Sequence, residues 1–128
     1  MNPYLLKCKA QQIQSCEWLY GYVVSVIYNN EIHYFIVSMA NMSLNIDIRC
    51  EINPKTICKF TGTYDSNNDE IYDGDIIDTE RGRFEVYYDD LTMSYVVGDN
   101  NKFLYEFNSI YVIGNAHDDV DFFNEIEE

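Results

Sequence analysis

The chain has 128 residues, 47% of them apolar and 16% aromatic, with a formal net charge of −14. That length and apolar content suit one domain with its own core and exclude a disordered chain. Twelve tyrosines against six glycines and two prolines favour strands over helices.

The charge is lopsided. Residues 1–60 carry five basic side chains (Lys7, Lys9, Arg49, Lys55, Lys59) against four acidic ones (Glu17, Glu31, Asp47, Glu51). Residues 61–128 carry three (Arg81, Arg83, Lys102) against eighteen, a balance of −15. Direct nucleic-acid binding by the second half is not expected, because affinity for DNA comes from neutralising phosphates with Lys and Arg. An anionic membrane surface is disfavoured for the same reason. A basic protein partner, cation binding or acidity that serves solubility remain open.

Tyr4 to Lys9 reads as a first strand, followed by a polar turn at Gln11 to Cys16. Glu17 to Tyr28 and Glu31 to Met39 are β-rich runs separated by Asn29-Asn30, the pattern of a two-residue hairpin with positive φ at both turn positions. Met42 to Ile52 alternates apolar and polar side chains, as a half-buried strand does. Asn53-Pro54 breaks it, and Thr56 to Thr61 is a further strand ending at Gly62. Asp65 to Asp69 is a turn cluster before Ile71-Tyr72, and Asp73-Gly74 turns the chain into Asp75 to Thr79. Arg81-Gly82 and Asp89-Asp90 separate the runs Arg83 to Tyr88 and Leu91 to Val97. A polar loop leads to Phe103–Phe107, of undecided state, then to Ile110–Ile113, ended by Gly114-Asn115. From Asp118 the tail suits a short C-terminal helix with Phe122, Phe123 and Ile126 on its apolar face. Short strands separated by Gly, Asp and Asn turns indicate an all-β fold, a small distorted barrel of antiparallel strands. Three regions are expected within one domain: N-terminal strands and hairpin over 1–50, a barrel region over 51–115, and an acidic tail over 116–128.

Chemistry-bearing groupings are sparse. Cys8, Cys16, Cys50 and Cys58 form no C-x-x-C pair, and only His33 and His117 could add nitrogen ligands, so no metal site is expected. Cys8 and Cys58 lie in strand-like contexts, where free cysteine packs as a small hydrophobe. Asp65-Ser66-Asn67-Asn68-Asp69 opens like a calcium loop, but Glu70 stands where glycine is needed and Ile76 where the bidentate glutamate belongs. Asp73, Asp75, Asp89 and Asp90 could pair as catalytic carboxylates, yet aspartate at strand ends is what turns ordinarily require. His33 sits inside a hairpin, and no G-x-S-x-G elbow exists. Catalytic residues and cofactors are therefore both expected to be none.

Tyr20, Tyr22, Tyr28, Tyr34, Tyr87, Tyr88 and Tyr95 interleave with strand apolars and read as core edges or a protein-binding face. Tyr87, Tyr88, Asp89 and Asp90 are the candidate interaction surface. No secretory leader or membrane-spanning run is read at this stage.

Three segments, in order, carry a family resemblance. Glu17-Trp18-Leu19-Tyr20-Gly21-Tyr22 is similar to a W-x-Y-G-Y element. Glu51 to Gly62, with Pro54, Thr56, Thr61 and Gly62, continues through Asp65 into Glu70-Ile71-Tyr72-Asp73-Gly74-Asp75-Ile76-Ile77. Tyr111-Val112-Ile113-Gly114-Asn115 closes the pattern. Together they resemble the YopX family of phage proteins. Asn68 and Cys58 stand where that family often has glycine, and Asp73 where it has glutamate. The resemblance implies a phage- or prophage-encoded protein with a distorted β-barrel, acting in the cytoplasm of the bacterial host, and carries no known activity. Trp18, Gly21, Pro54, Thr61, Gly62, Tyr72, Gly74, Asp75 and Gly114 are expected to be structural, Asp75 accepting backbone amides in a tight turn. The expected function is a non-enzymatic accessory module that binds a protein partner or itself. The alternative is an acidic DNA mimic directed at a host nucleic-acid-binding or defence protein.

Overall fold

The computed structural model describes residues 7–37, 50–98 and 100–118. The chain divides into two compact units, Met1–Phe60 and Thr61–Glu128. The division falls where the charge balance changes from near neutral to strongly acidic.

In the first unit, β1 (Cys8–Gln11) pairs antiparallel with β2 (Trp18–Tyr28), and β2 pairs with β3 (Glu31–Val37). Asn29 and Asn30 have φ of 51° and 63°, as the two-residue hairpin demands. Positions 4–6 of the expected first strand lie outside the described residues; β1 runs from Cys8 to Gln11, opposite Gly21 to Trp18. β4 (Cys58–Tyr64) begins in this unit, where Lys9 faces Cys58 and Cys8 faces Lys59. Ala10, Ile36 and Ile52 form the buried core, with Leu19, Val23, Tyr34 and Ile57 packed against it. The expected strand Met42–Ile52 lies outside the described residues up to position 49; Ile52 and Glu51 make isolated bridges to Gln12 and Phe35.

In the second unit, the latter half of β4 neighbours β5 (Glu70–Tyr72). Gly62 does not end β4: it lies within it at a φ of 84°, a backbone state that glycine accepts without strain. A five-stranded antiparallel sheet follows in the order β10-β6-β7-β8-β9, built from β6 (Asp75–Thr79), β7 (Gly82–Asp89), β8 (Ser94–Val97), β9 (Lys102–Phe103) and β10 (Ile110–Asn115). Leu91 to Met93 belong to the turn instead of β8, because the Asp89 carboxylate caps Leu91 N–H and the Thr92 hydroxyl there. Leu104–Glu106 is a single 3-10 turn, which settles the undecided segment. Gly114 lies inside β10, where the register shifts between Val112 and Gly114, leaving Ile113 as the extra residue of a bulge. Ile71, Ile77, Val86, Val97, Leu104, Phe107 and Ile110 form the core, with Phe84, Tyr95 and Val112 against it. The tail from residue 119, with its expected helix, lies outside the described residues.

The all-β expectation holds, and among the described residues the strands form open sheets and close no barrel. One physical reason is visible on β10. Its outer edge is taken by the turn before β5: Val112 N–H donates to Asp65 Oδ2 at 3.0 Å, Ile110 N–H to Ser66 Oγ at 3.0 Å, and Ser66 N–H to Ile110 O at 2.8 Å. A strand whose outer donors are already satisfied cannot pair onward to close a barrel.

Candidate functional site

The segments of the sequence pattern fold into hydrogen-bonded joints. Pro54 opens a single 3-10 turn over Pro54–Thr56, and Asn53 Oδ1 caps Lys55 N–H at 3.1 Å. This places the buried Thr56 hydroxyl to donate to Asn53 O at 2.7 Å and to accept from Gln11 N–H at 2.8 Å. The threonine therefore ties the end of β1 to the turn. Trp18 lies under the Lys9 ammonium, 4.8 Å from the ring centroid, an arrangement that keeps the amine of a largely buried lysine favourably placed. At Gly21 a Cβ would stand 2.4 Å from the Val37 carbonyl oxygen and 3.1 Å from Ile36 Cγ2, so β3 approaches β2 closer there than any side chain permits.

The densest joint surrounds Asp73-Gly74-Asp75. Asp75 is fully buried; its Oδ2 accepts from Tyr72 N–H at 2.7 Å and its Oδ1 from Asn115 Nδ2 at 2.9 Å. Gly74 takes a φ of 83°, and its peptide groups reach both ways: its N–H donates to Val86 O at 2.7 Å, and its carbonyl accepts from Ala116 N–H at 2.8 Å. One turn thus binds β5, β7 and the end of β10. Tyr72, also buried, donates its hydroxyl to Glu70 Oε1 at 3.0 Å. Thr61 accepts from Thr63 N–H and donates to Ile71 O at 2.8 Å. Asn68 has a φ of 71° in the Asp65 turn, tolerating what glycine would otherwise supply.

Many carboxylates of the acidic half serve backbone donors. Asp65 Oδ1 accepts from Asn67 and Asp69 N–H at 2.9 and 2.8 Å while its Oδ2 holds Val112, so both oxygens serve backbone amides. Glu80 accepts from Asn108 and Ser109 N–H at 2.6 and 3.1 Å, and these bonds, Asn108's foremost, hold its carboxyl below the ordinary range. Glu106 Oε2 accepts from Phe103 N–H at 2.6 Å. Glu85 moves the other way: burial raises it, His117 opposes the rise, and Asp73 adds to it. His33, in the first unit, lies between Glu51 at 2.8 Å and Glu31 at 3.7 Å. Among the described residues, no three His, Cys, Asp or Glu side chains converge as a metal ligand set, and no helix is long and apolar enough to cross a membrane.

The four residues expected to form an interaction surface divide in two. The Tyr87 hydroxyl is committed to Gly98 O and Asn101 Oδ1, and the Asp89 carboxylate caps its own turn. Tyr88 and Asp90 are exposed, the Tyr88 ring meeting Tyr95 edge-on at 5.2 Å. Leu91, 93% exposed, directly follows them, and further apolar exposure lies at the Leu104-Tyr105 turn. Two open hollows flank the Leu104-Tyr105 turn, one of about 280 Å³ lined by Tyr64, Ile71, Phe107 and Ile110, the other of about 350 Å³ lined by Thr61, Met93, Tyr95 and Phe103. Thr63, Leu104 and Tyr105 line both. Tyr105 is 81% exposed, and its ring stacks on Phe103 at 5.3 Å with 7° between planes.

A family model described as YopX protein matches residues 9–122. The chain belongs to the YopX family. No curated protein matches it.

The YopX signature residues of this chain thus fall at joints: Thr56 and Gly21 in the first unit, Thr61, Tyr72, Gly74 and Asp75 in the second. The sequence pattern did not disclose Tyr64, Met93 and Tyr105 as an exposed set beside the half-buried Phe103. In a 3-10 turn successive side chains diverge by about 120°, which buries Leu104 and exposes Tyr105, whereas neither helical nor strand periodicity marks such a pair.

Proposed function

We propose that this YopX-family chain is a phage- or prophage-encoded accessory module without catalytic activity, which works in the bacterial cytoplasm by binding a protein through the Tyr105 surface of its second unit. The observation that carries this proposal is the pair of hollows flanking Tyr105, walled by Tyr64, Met93 and Phe103, on a fold whose buried aspartates accept from backbone amides and, at Asp75, from the Asn115 side chain. An exposed tyrosine stacked on a half-buried phenylalanine, beside hollows lined by both apolar and polar side chains, resembles the centres of protein interfaces, where Tyr and Phe supply contact area at little entropic cost. A DNA mimic has less support. Asp65, Asp75, Glu80, Asp89 and Glu106 turn carboxylate oxygens toward this chain's own amides, which leaves fewer of them to imitate a row of phosphates.

Affinity capture from phage-infected cells with the wild type, Tyr105→Ala and Tyr28→Ala tests this. A protein retained by the wild type and Tyr28→Ala but lost with Tyr105→Ala is the expected result. Turnover of any substrate that depends on Asp73, Asp75 or Asp89 would overturn it.

A further inference from the structure

The partner's chemistry follows from what surrounds the hollows. Among the described residues no Lys or Arg lines either of them, although Arg81 lies 5.5 Å over the Phe107 ring. Asp65 lines one, and residues 61–128 as a whole carry eighteen acids against three basic groups. A surface of that sign attracts cationic segments over roughly a Debye length, about 8–10 Å at physiological salt, and repels nucleic acid and further copies of itself. Tyr105, 81% exposed and stacked by one face on Phe103, is an aromatic ring of the kind that favours a guanidinium or ammonium. The hollows supply the apolar component: Leu104 forms a shared floor, and Met93, 77% exposed, stands at the rim of one. Each hollow is of a size to take one or two side chains, and Tyr105 divides them.

Resting on the protein-binding role proposed above, we propose that the occupant is an extended segment of a partner protein that carries an arginine or lysine beside an apolar side chain. The apolar group fills one hollow, and the cation lies against Tyr105 within the negative field. A second copy of this chain is a poor occupant because it brings the same −15 half with it.

The test is selection of a random twelve-residue peptide library on the full-length protein, followed by affinity measurement on the wild type, Tyr105→Ala and Met93→Arg. Both replaced side chains are exposed, so both variants should fold; an unchanged urea midpoint checks this. The expected result is peptides enriched in Arg or Lys next to an apolar residue, at least about tenfold weaker on each variant, and weaker in higher salt. Peptides that depend on Tyr105 but lack basic enrichment would overturn the basic partner and leave the protein-binding surface standing. Peptides that bind Tyr105→Ala equally well, or no selected binder, would overturn both. Concentration-dependent dimerisation of the wild type that Tyr105→Ala abolishes would replace the partner segment by a second copy.

Discussion

Asn115 Nδ2 donates to Asp75 Oδ1 at 2.9 Å, a buried bond between residues forty positions apart. It locks the end of β10 to the turn that starts β6, and Gly74's carbonyl repeats the lock through Ala116 N–H. Burying a carboxylate is costly unless its lone pairs are filled, and amide donors to a charged oxygen are among the stronger hydrogen bonds in proteins. Asn115→Ala removes one such donor from a buried anion. It should cost about 2–3 kcal/mol in urea unfolding; a loss below about 0.5 kcal/mol would show that the bond contributes nothing.

Asp65 protects an edge. Asp65→Ala would free the amides of Asn67, Asp69 and Val112 together, the last on the outer side of β10. Stability should fall by about 2–3 kcal/mol, and the opened edge should make the variant more prone to aggregate than the wild type. Light scattering at matched concentration reads the second effect. An equally soluble variant would mean that Ser66 alone guards the strand.

Gly21→Ala would place a methyl group 2.4 Å from the Val37 carbonyl, which backbone movement alone can relieve. Overpacking of this kind costs about 1–3 kcal/mol. Urea unfolding should show that loss, and an unchanged midpoint would mean that β3 yields freely.

Two glutamates should give opposite pH signatures. Glu80 is depressed by Asn108 N–H, so its contribution is present above the unfolded value of 4.5 and is lost as pH falls through its lower folded value. Glu85 is raised by burial, so it imposes no penalty below 4.5, and the penalty grows as pH rises through the folded value. Glu85→Gln should therefore raise the melting temperature at pH 7 and not at pH 3.5, while Glu80→Gln should lower it at pH 7. Melting curves at the two pH values check both signs.

Legibility in the sequence followed locality. Asn29-Asn30, Asp73-Gly74 and Asp89-Asp90 announce their turns because the required φ values or side-chain caps lie within four residues. Asp75's role as an amide acceptor was legible for the same reason, whereas its second partner, Asn115, comes from another strand and leaves no local trace. Gly62 and Gly114 read as strand ends because glycine usually interrupts strands, yet they lie inside β4 and β10, Gly62 at a positive φ and Gly114 next to the bulge at Ile113. Tyr87 reads as surface and proves to be committed to Gly98, a partner eleven positions away that only the folded chain supplies. Exposure of Tyr105 likewise depends on a 3-10 turn that no periodicity announces.

The central claim is that the aspartate of the YopX signature turn serves the fold and performs no chemistry. Urea unfolding of Asp75→Asn measures it most directly: one acceptor oxygen becomes a donor facing either Tyr72 N–H or Asn115 Nδ2. A midpoint lowered by the equivalent of about 2 kcal/mol or more is expected. An unchanged midpoint, with the protein's biological effect lost, would contradict it.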